Sequence, residues 1–250
     1  FTFATDLFDR STVDGFAGRL VGVLEAVAAD SSVVVGDIGV LGVGERELVV
    51  SGWNETVRVL DSGVAGVGSG VTLASLFVDQ VGVSWDAVAV VAGGERLSYG
   101  VFGERVFALA RWLIGEGVGP EVLVGLGMRR GVDLLVGMYA VVVAGGGYVP
   151  LDPDQPVERN GFVVSVASPV LVLVSGAADV GVFEGVVAAA GGGVSGSGSG
   201  VRVVDVSVVD VSGLSVLPVS DGERLSVLRG WNTAYVIFTS GSTGRPKGVA

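Results

Sequence analysis

The chain has 250 residues, half of them hydrophobic, a net charge of −11, and neither histidine nor cysteine. Without those two residue types there is no imidazole base, no Ser-His-Asp or Cys-His nucleophile, no zinc site built on them and no disulfide. The acidic balance argues against nonspecific nucleic-acid binding, which needs a basic surface to neutralise phosphates.

In chain order, residues 11–29 predict an amphipathic helix, capped by Ser11 or Thr12. Val13, Phe16, Ala17, Leu20, Val23, Leu24 and Val27 recur on one face, and Arg19 and Glu25 lie on the other. Gly15, Gly18 and Gly22 fall inside this helix, each costing about 1 kcal/mol relative to alanine. A loop with a short helix near residues 45–50 and an exposed Trp53-Asn54 follows. The stretch DSGVAGVGSG, residues 61–70, has no periodicity and reads as a domain boundary. Thr72 then caps a helix carrying Leu73, Leu76, Phe77 and Val81. Residues 87–92 and 96–99 form a hairpin around Gly93-Gly94. A helix through Phe102, Val106, Leu109, Ala110 and Leu113 ends near residues 115–119. Residues 122–127 read as a strand, 132–144 as an apolar helix, 148–151 as extended and 170–174 as a buried strand. A glycine-weakened helix spans 179–190, and GGGVSGSGSG, residues 191–200, reads as a flexible loop. Residues 201–205 and 235–238 are read as buried strands. Strands alternating with helices predict an α/β layer with a mainly parallel sheet.

Two uncharged runs, residues 134–151 and 161–178, reach the lower limit of a membrane span of roughly 17–20 residues. The first holds Gly145-Gly146-Gly147 and Pro150, and the second Pro169, so each reads as a buried helix followed by a strand. No basic leader followed by an apolar segment opens the chain, so no secretory signal is read. A cytoplasmic protein with no membrane partner is expected.

The segment YVIFTSGSTGRPKGVA, residues 235–250, carries the chemistry. A strand delivers the chain to Thr239, Ser240, Ser242 and Thr243, which offer four hydroxyls. Gly241 and Gly244 let backbone N–H groups converge, Arg245 and Lys247 add positive charge, and Pro246 stiffens the link between them. Hydroxyls, amides and cations in ten residues describe a phosphate cradle. A plain surface turn uses the same residue types, but the order here is more specific. It is not the ordinary P-loop: counting from Gly241, Pro246 stands where glycine is needed, and Gly248 follows Lys247.

In that order, residues 239–248 resemble the phosphate-loop signature of the adenylate-forming enzymes, which include acyl-CoA synthetases, luciferases and the adenylation domains of nonribosomal peptide synthetases. The resemblance implies that Thr239, Ser240, Gly241, Ser242, Thr243, Gly244 and Lys247 contact ATP phosphates, with magnesium, as a carboxylate is joined to the α-phosphate and pyrophosphate leaves. Donors aimed at the departing pyrophosphate would stabilise the transition state more than the ground state. No catalytic residue is implied within this chain, and no metal ligand is identified.

Other stretches resemble the peptide-synthetase branch. Leu97-Ser98-Tyr99 resembles its first core motif in part, with Val101 and Phe102 in place of the usual Glu-Leu. VAGGGYVPLD, residues 143–152, resembles the second, with Val143 where lysine is common, and PDQPVER continues it. Both are expected to be structural. Residues 1–34 resemble the tail of a condensation domain, 35–71 the linker that follows it, and 72–250 the N-terminal part of an adenylation domain. The resemblance therefore implies an incomplete N-terminal subdomain, α/β with a mainly parallel sheet, preceded by a helical tail and linker. In the parent protein the substrates would be ATP and an amino acid. The partners would be a condensation domain upstream and a downstream carrier domain bearing phosphopantetheine. The 250-residue chain alone is expected to be inactive and to fold poorly, with exposed apolar strand edges. The alternatives are a fragment of an acyl-CoA synthetase-type ligase and a noncatalytic interaction remnant.

Overall fold

The computed structural model describes residues 1–42, 44–56, 70–191, 200–239 and 246–250. The chain divides into two compact units, Phe1–Gly63 and Val64–Ala250. Most of the expected boundary, residues 61–69, and most of the glycine-serine loop, residues 192–199, lie outside the described residues.

The first unit holds helix α1 (Arg10–Ala29) and the short helix α2 (Glu45–Val50). The expected caps of α1 are corrected: Asp9 is the N-cap residue, and no side chain caps the helix, because the first turn begins before Ser11 and Thr12. Of the expected apolar stripe only Val13 is buried; Phe16, Leu20, Leu24 and Val27 are exposed. Periodicity reports a face able to pack, and within this unit little is available to pack on it. Arg19, expected to face away, pairs with Glu45, whose other oxygen accepts from the Gly42 amide at 3.0 Å.

The second unit opens with α3 (Leu73–Val83). Thr72 accepts from the Ser75 amide at 3.1 Å and Ser75 Oγ accepts from the Thr72 amide at 3.0 Å, a reciprocal capping box worth about 1 kcal/mol. The hairpin of β1 (Val88–Ala92) and β2 (Glu95–Ser98) leads into α4 (Tyr99–Gly115), capped by Ser98. Then come β3 (Leu123–Gly127), α5 (Val132–Ala144), β4 (Gly147–Pro150), α6 (Val157–Ala167), β5 (Leu171–Val174), α7 (Ala177–Ala189) and β6 (Arg202–Asp205). The four strands pair in parallel in the order β4-β3-β5-β6.

Each face of this sheet is covered, as near-continuous apolar strands require. Side chains alternate across a strand. Leu171 and Leu173 join one cluster, with Phe107, Leu113, Val136 and Val141 from α4 and α5. Val172 and Val174 join another, with Val163 and Phe183 from α6 and α7. Both uncharged runs are helix-then-strand, and among the described residues no helix is long and apolar enough to cross a membrane.

Polar contacts fasten the connections. Arg129, just past β3, pairs with Asp154 at 2.7 Å and with the buried Asp179 at 2.5 Å. Asn160 Nδ2 donates to the Asp152 carbonyl at 2.7 Å and ties the end of the YVPLD stretch to α6. Arg111 of α4 gathers the long connection after β6: it donates to the carbonyls of Ser215, Leu217 and Pro218 and pairs with Glu223 at 2.7 Å.

Candidate phosphate-binding site

Residues 234–236 lie along the outer edge of β4. The Tyr148 amide donates to the Ala234 carbonyl at 3.1 Å, and the Val236 amide donates to the Tyr148 carbonyl at 2.9 Å. Tyr148 and Tyr235 form a parallel bridge, with ring centroids 5.7 Å apart. Burial pushes the Tyr148 phenol above its usual range, with Tyr235 and Tyr139 adding to the shift. Running parallel to β4, this segment carries the chain toward the carboxyl end of the sheet, the end where open α/β folds place their ligands.

There the chain forms β7 (Ile237–Thr239), which pairs antiparallel with β8 (Lys247–Val249). Thr239 stands opposite Lys247, Phe238 opposite Gly248 and Ile237 opposite Val249. Directly opposed residues in such a ladder sit about 4.5–5.5 Å apart between Cα atoms. The hydroxyl-bearing end of one strand and the ammonium-bearing start of the other are therefore neighbours at a common neck. Gly248 matters here. A Cβ on it would stand 3.1 Å from the Phe238 ring and 3.2 Å from the Val236 side chain, so glycine leaves room for those two side chains.

Two corrections follow. The expected buried strand over residues 235–238 is a half-buried edge: Val236 and Phe238 pack against the core, while Tyr235 is 43% and Ile237 45% exposed. It has β4 on one side, whereas a central strand such as β5 is covered all round. Lys247 belongs to β8 and not to the loop, which fixes its backbone while leaving its side chain exposed. Of the expected phosphate contacts, Thr239 and Lys247 are brought together. Ser240, Gly241, Ser242, Thr243 and Gly244 lie outside the described residues. Among the described residues no three His, Cys, Asp or Glu converge into a metal site.

Nothing in the sequence pattern singles out Glu121, although it is anchored to the segment that enters the neck. Its contacts with Asn232 and Thr233 span more than a hundred residues, beyond any local periodicity. The turn residues Gly119-Pro120 before it were the available hint.

Comparison with known proteins agrees with this geometry. A dimodular nonribosomal peptide synthase of Bacillus subtilis is 34% identical over 254 residues, covering 99% of this chain and 10% of its own length. An FmoA3 nonribosomal peptide synthetase, solved in its AMPPNP-bound form, superposes with a TM-score of 0.65 at 25% identity, covering 97% of this chain and 23% of its own. The N-terminal subdomain of Klebsiella oxytoca NpsA superposes with a TM-score of 0.57 at 21% identity, over 73% of this chain and 42% of its own, and so shares the fold. This chain thus spans a tenth to under a half of these relatives. The AMP-binding enzyme family model matches residues 77–250, from α3 through the neck, and the chain belongs to that family.

Proposed function

We propose that this chain is a segment of a nonribosomal peptide synthetase, comprising an N-terminal part of an amino-acid-activating domain that ends just after its phosphate loop. The reaction proposed for the whole protein uses ATP and an amino acid, forms an aminoacyl-adenylate and releases pyrophosphate. The observation that carries the reading is the paired neck. Thr239 and Lys247, separated by a hydroxyl- and glycine-rich stretch, sit side by side at the carboxyl end of a parallel sheet. A hydroxyl can donate to a phosphate oxygen, and an ammonium supplies three donors with a fixed charge. Charge-assisted donors of this kind are about twice as strong as neutral ones.

Magnesium fits the same reading as a counter-ion carried on the nucleotide's phosphates. The first seventy or so residues, with α1 and α2, precede the family match, yet the synthetase relatives match 99% of the chain. That extent favours the synthetase over a free-standing acyl-CoA ligase. A condensation domain before this segment, a carrier domain with its phosphopantetheine after it, and a cytoplasmic setting complete the proposal.

Competition tests it. A fluorescent ATP analogue bound to the protein that contains this segment should be displaced by tripolyphosphate and by pyrophosphate. Displacement by adenosine with indifference to the polyphosphates would overturn the reading.

A further inference from the structure

Glu121 occupies the turn between α4 and β3 with φ of +65°, in the left-handed region. That region is uncommon for a residue with a side chain, and it persists where surrounding contacts over-determine it. Here the contacts are three. The carboxylate accepts from Asn232 Nδ2 at 2.8 Å, from the Thr233 hydroxyl at 3.0 Å and from the Thr233 amide at 3.2 Å. Asn232 is held from the other side as well, its Oδ1 accepting from the Arg229 amide at 2.7 Å. Gly147, at the start of β4, lets the same segment come close: a Cβ there would meet the Thr233 carbonyl oxygen at 3.0 Å. One side chain thus fixes the two residues immediately before the edge segment that leads into β7.

We propose that Glu121 is a positioning residue for the phosphate-binding neck: by fixing Asn232 and Thr233 it sets the register in which residues 234–236 lie along β4, and so the face to which Thr239 and Lys247 turn. Side chains alternate across a strand, so a slip of one residue would send both to the opposite face. Thr239 stands six positions after Thr233, an even offset, which keeps the two on the same side as long as the register holds. Residues 234–236 pair with β4 alone, so their register has fewer determinants than that of β3 or β5, which are paired on both sides. The proposal rests on the reading of the neck as a phosphate site, and its test separates the two.

The experiment compares the wild-type protein that contains this segment with its Glu121→Gln, Glu121→Gly, Thr233→Val and Lys247→Ala variants, by amide hydrogen exchange and by tripolyphosphate titration. Glu121→Gln should speed exchange at the Tyr148 and Val236 amides about three- to tenfold, the scale of losing a surface hydrogen-bond set. The amides of Val124 and Val172, in the sheet centre, should be unchanged. Thr233→Val should do the same to a smaller extent. Tripolyphosphate affinity should fall by a similar factor in both. Glu121→Gly decides between positioning and mere backbone strain. Glycine adopts the φ freely but carries no carboxylate, so positioning predicts the same loosening, whereas relief of strain predicts a firmer edge. Glu121 variants that leave exchange at Tyr148 and Val236 unaltered, or that speed the whole sheet equally, would overturn the proposal. If the wild type ignores tripolyphosphate, or Lys247→Ala binds it as well as the wild type, the phosphate reading falls. Exchange at the edge would still decide whether Glu121 sets the register.

Discussion

β5 and the segment 235–238 are both short runs of apolar residues, Leu-Val-Leu-Val and Tyr-Val-Ile-Phe, and they end in different places. All four residues of β5 are buried, packed between α5 on one face and α6 and α7 on the other. Tyr235 and Ile237 are each more than two-fifths exposed. Composition sets the capacity to be buried, and position in the sheet decides whether that capacity is used. The difference matters for function. The central strand contributes stability, while residues 235–238 carry the chain to the neck where Thr239 meets Lys247.

The comparison is sharpest at matched positions. Leu173→Ala, at a fully buried site, should destabilise the second unit by about 2–5 kcal/mol, through lost transfer energy and the cavity left behind. Ile237→Ser at the edge should stay within about 0.5 kcal/mol. Urea unfolding followed by circular dichroism measures both, and equal losses would erase the distinction between the strands. Next in size is Gly127→Ala at the end of β3. Its Cβ would stand 2.5 Å from the Phe183 ring, so overpacking should cost about 1–3 kcal/mol in the same assay.

A smaller effect depends on pH. The Ser220 amide, the Arg111 guanidinium and the Ser220 hydroxyl together hold the Glu223 carboxyl down to about 2, from an ordinary 4.5. A lowered folded value means that the unfolded chain binds more protons between those two values. The contribution is therefore complete above the ordinary value and disappears as pH falls through about 2. The group is largely solvent-facing, so the effect is modest. Comparing wild type with Glu223→Gln, the stability difference should be constant from pH 7 to pH 5 and vanish towards pH 2. A difference independent of pH would show that the Arg111 contact carries nothing through charge.

Much of this was legible in the sequence, for local reasons. Thr72, followed by the spaced Leu73, Phe77 and Val81, announced a capped helix because a cap and an apolar face are both short-range signals. The Gly93-Gly94 turn and the strand-helix alternation from residue 122 onward were readable in the same way. The failures were non-local. The α1 stripe predicted packing without naming a partner, and its cap was placed two or three residues late. The edge position of residues 235–238 depends on Tyr148, nearly ninety residues away. The proposed phosphate loop was read from its residue order alone. That Lys247 would be locked opposite Thr239 by a β-ladder, and that Glu121 would fasten the strand leading there, follow only from the folded chain.

The central claim is that the neck grips phosphate. Its most direct test is the affinity of the protein that contains this segment for tripolyphosphate before and after Lys247→Ala, with thermal unfolding of both followed in parallel. Losing a charge-assisted contact of about 1.5–3 kcal/mol should weaken binding about tenfold or more, while the melting temperature stays put because the side chain is exposed. Unchanged affinity in the variant, or a loss of binding that only tracks a fall in melting temperature, would contradict the account.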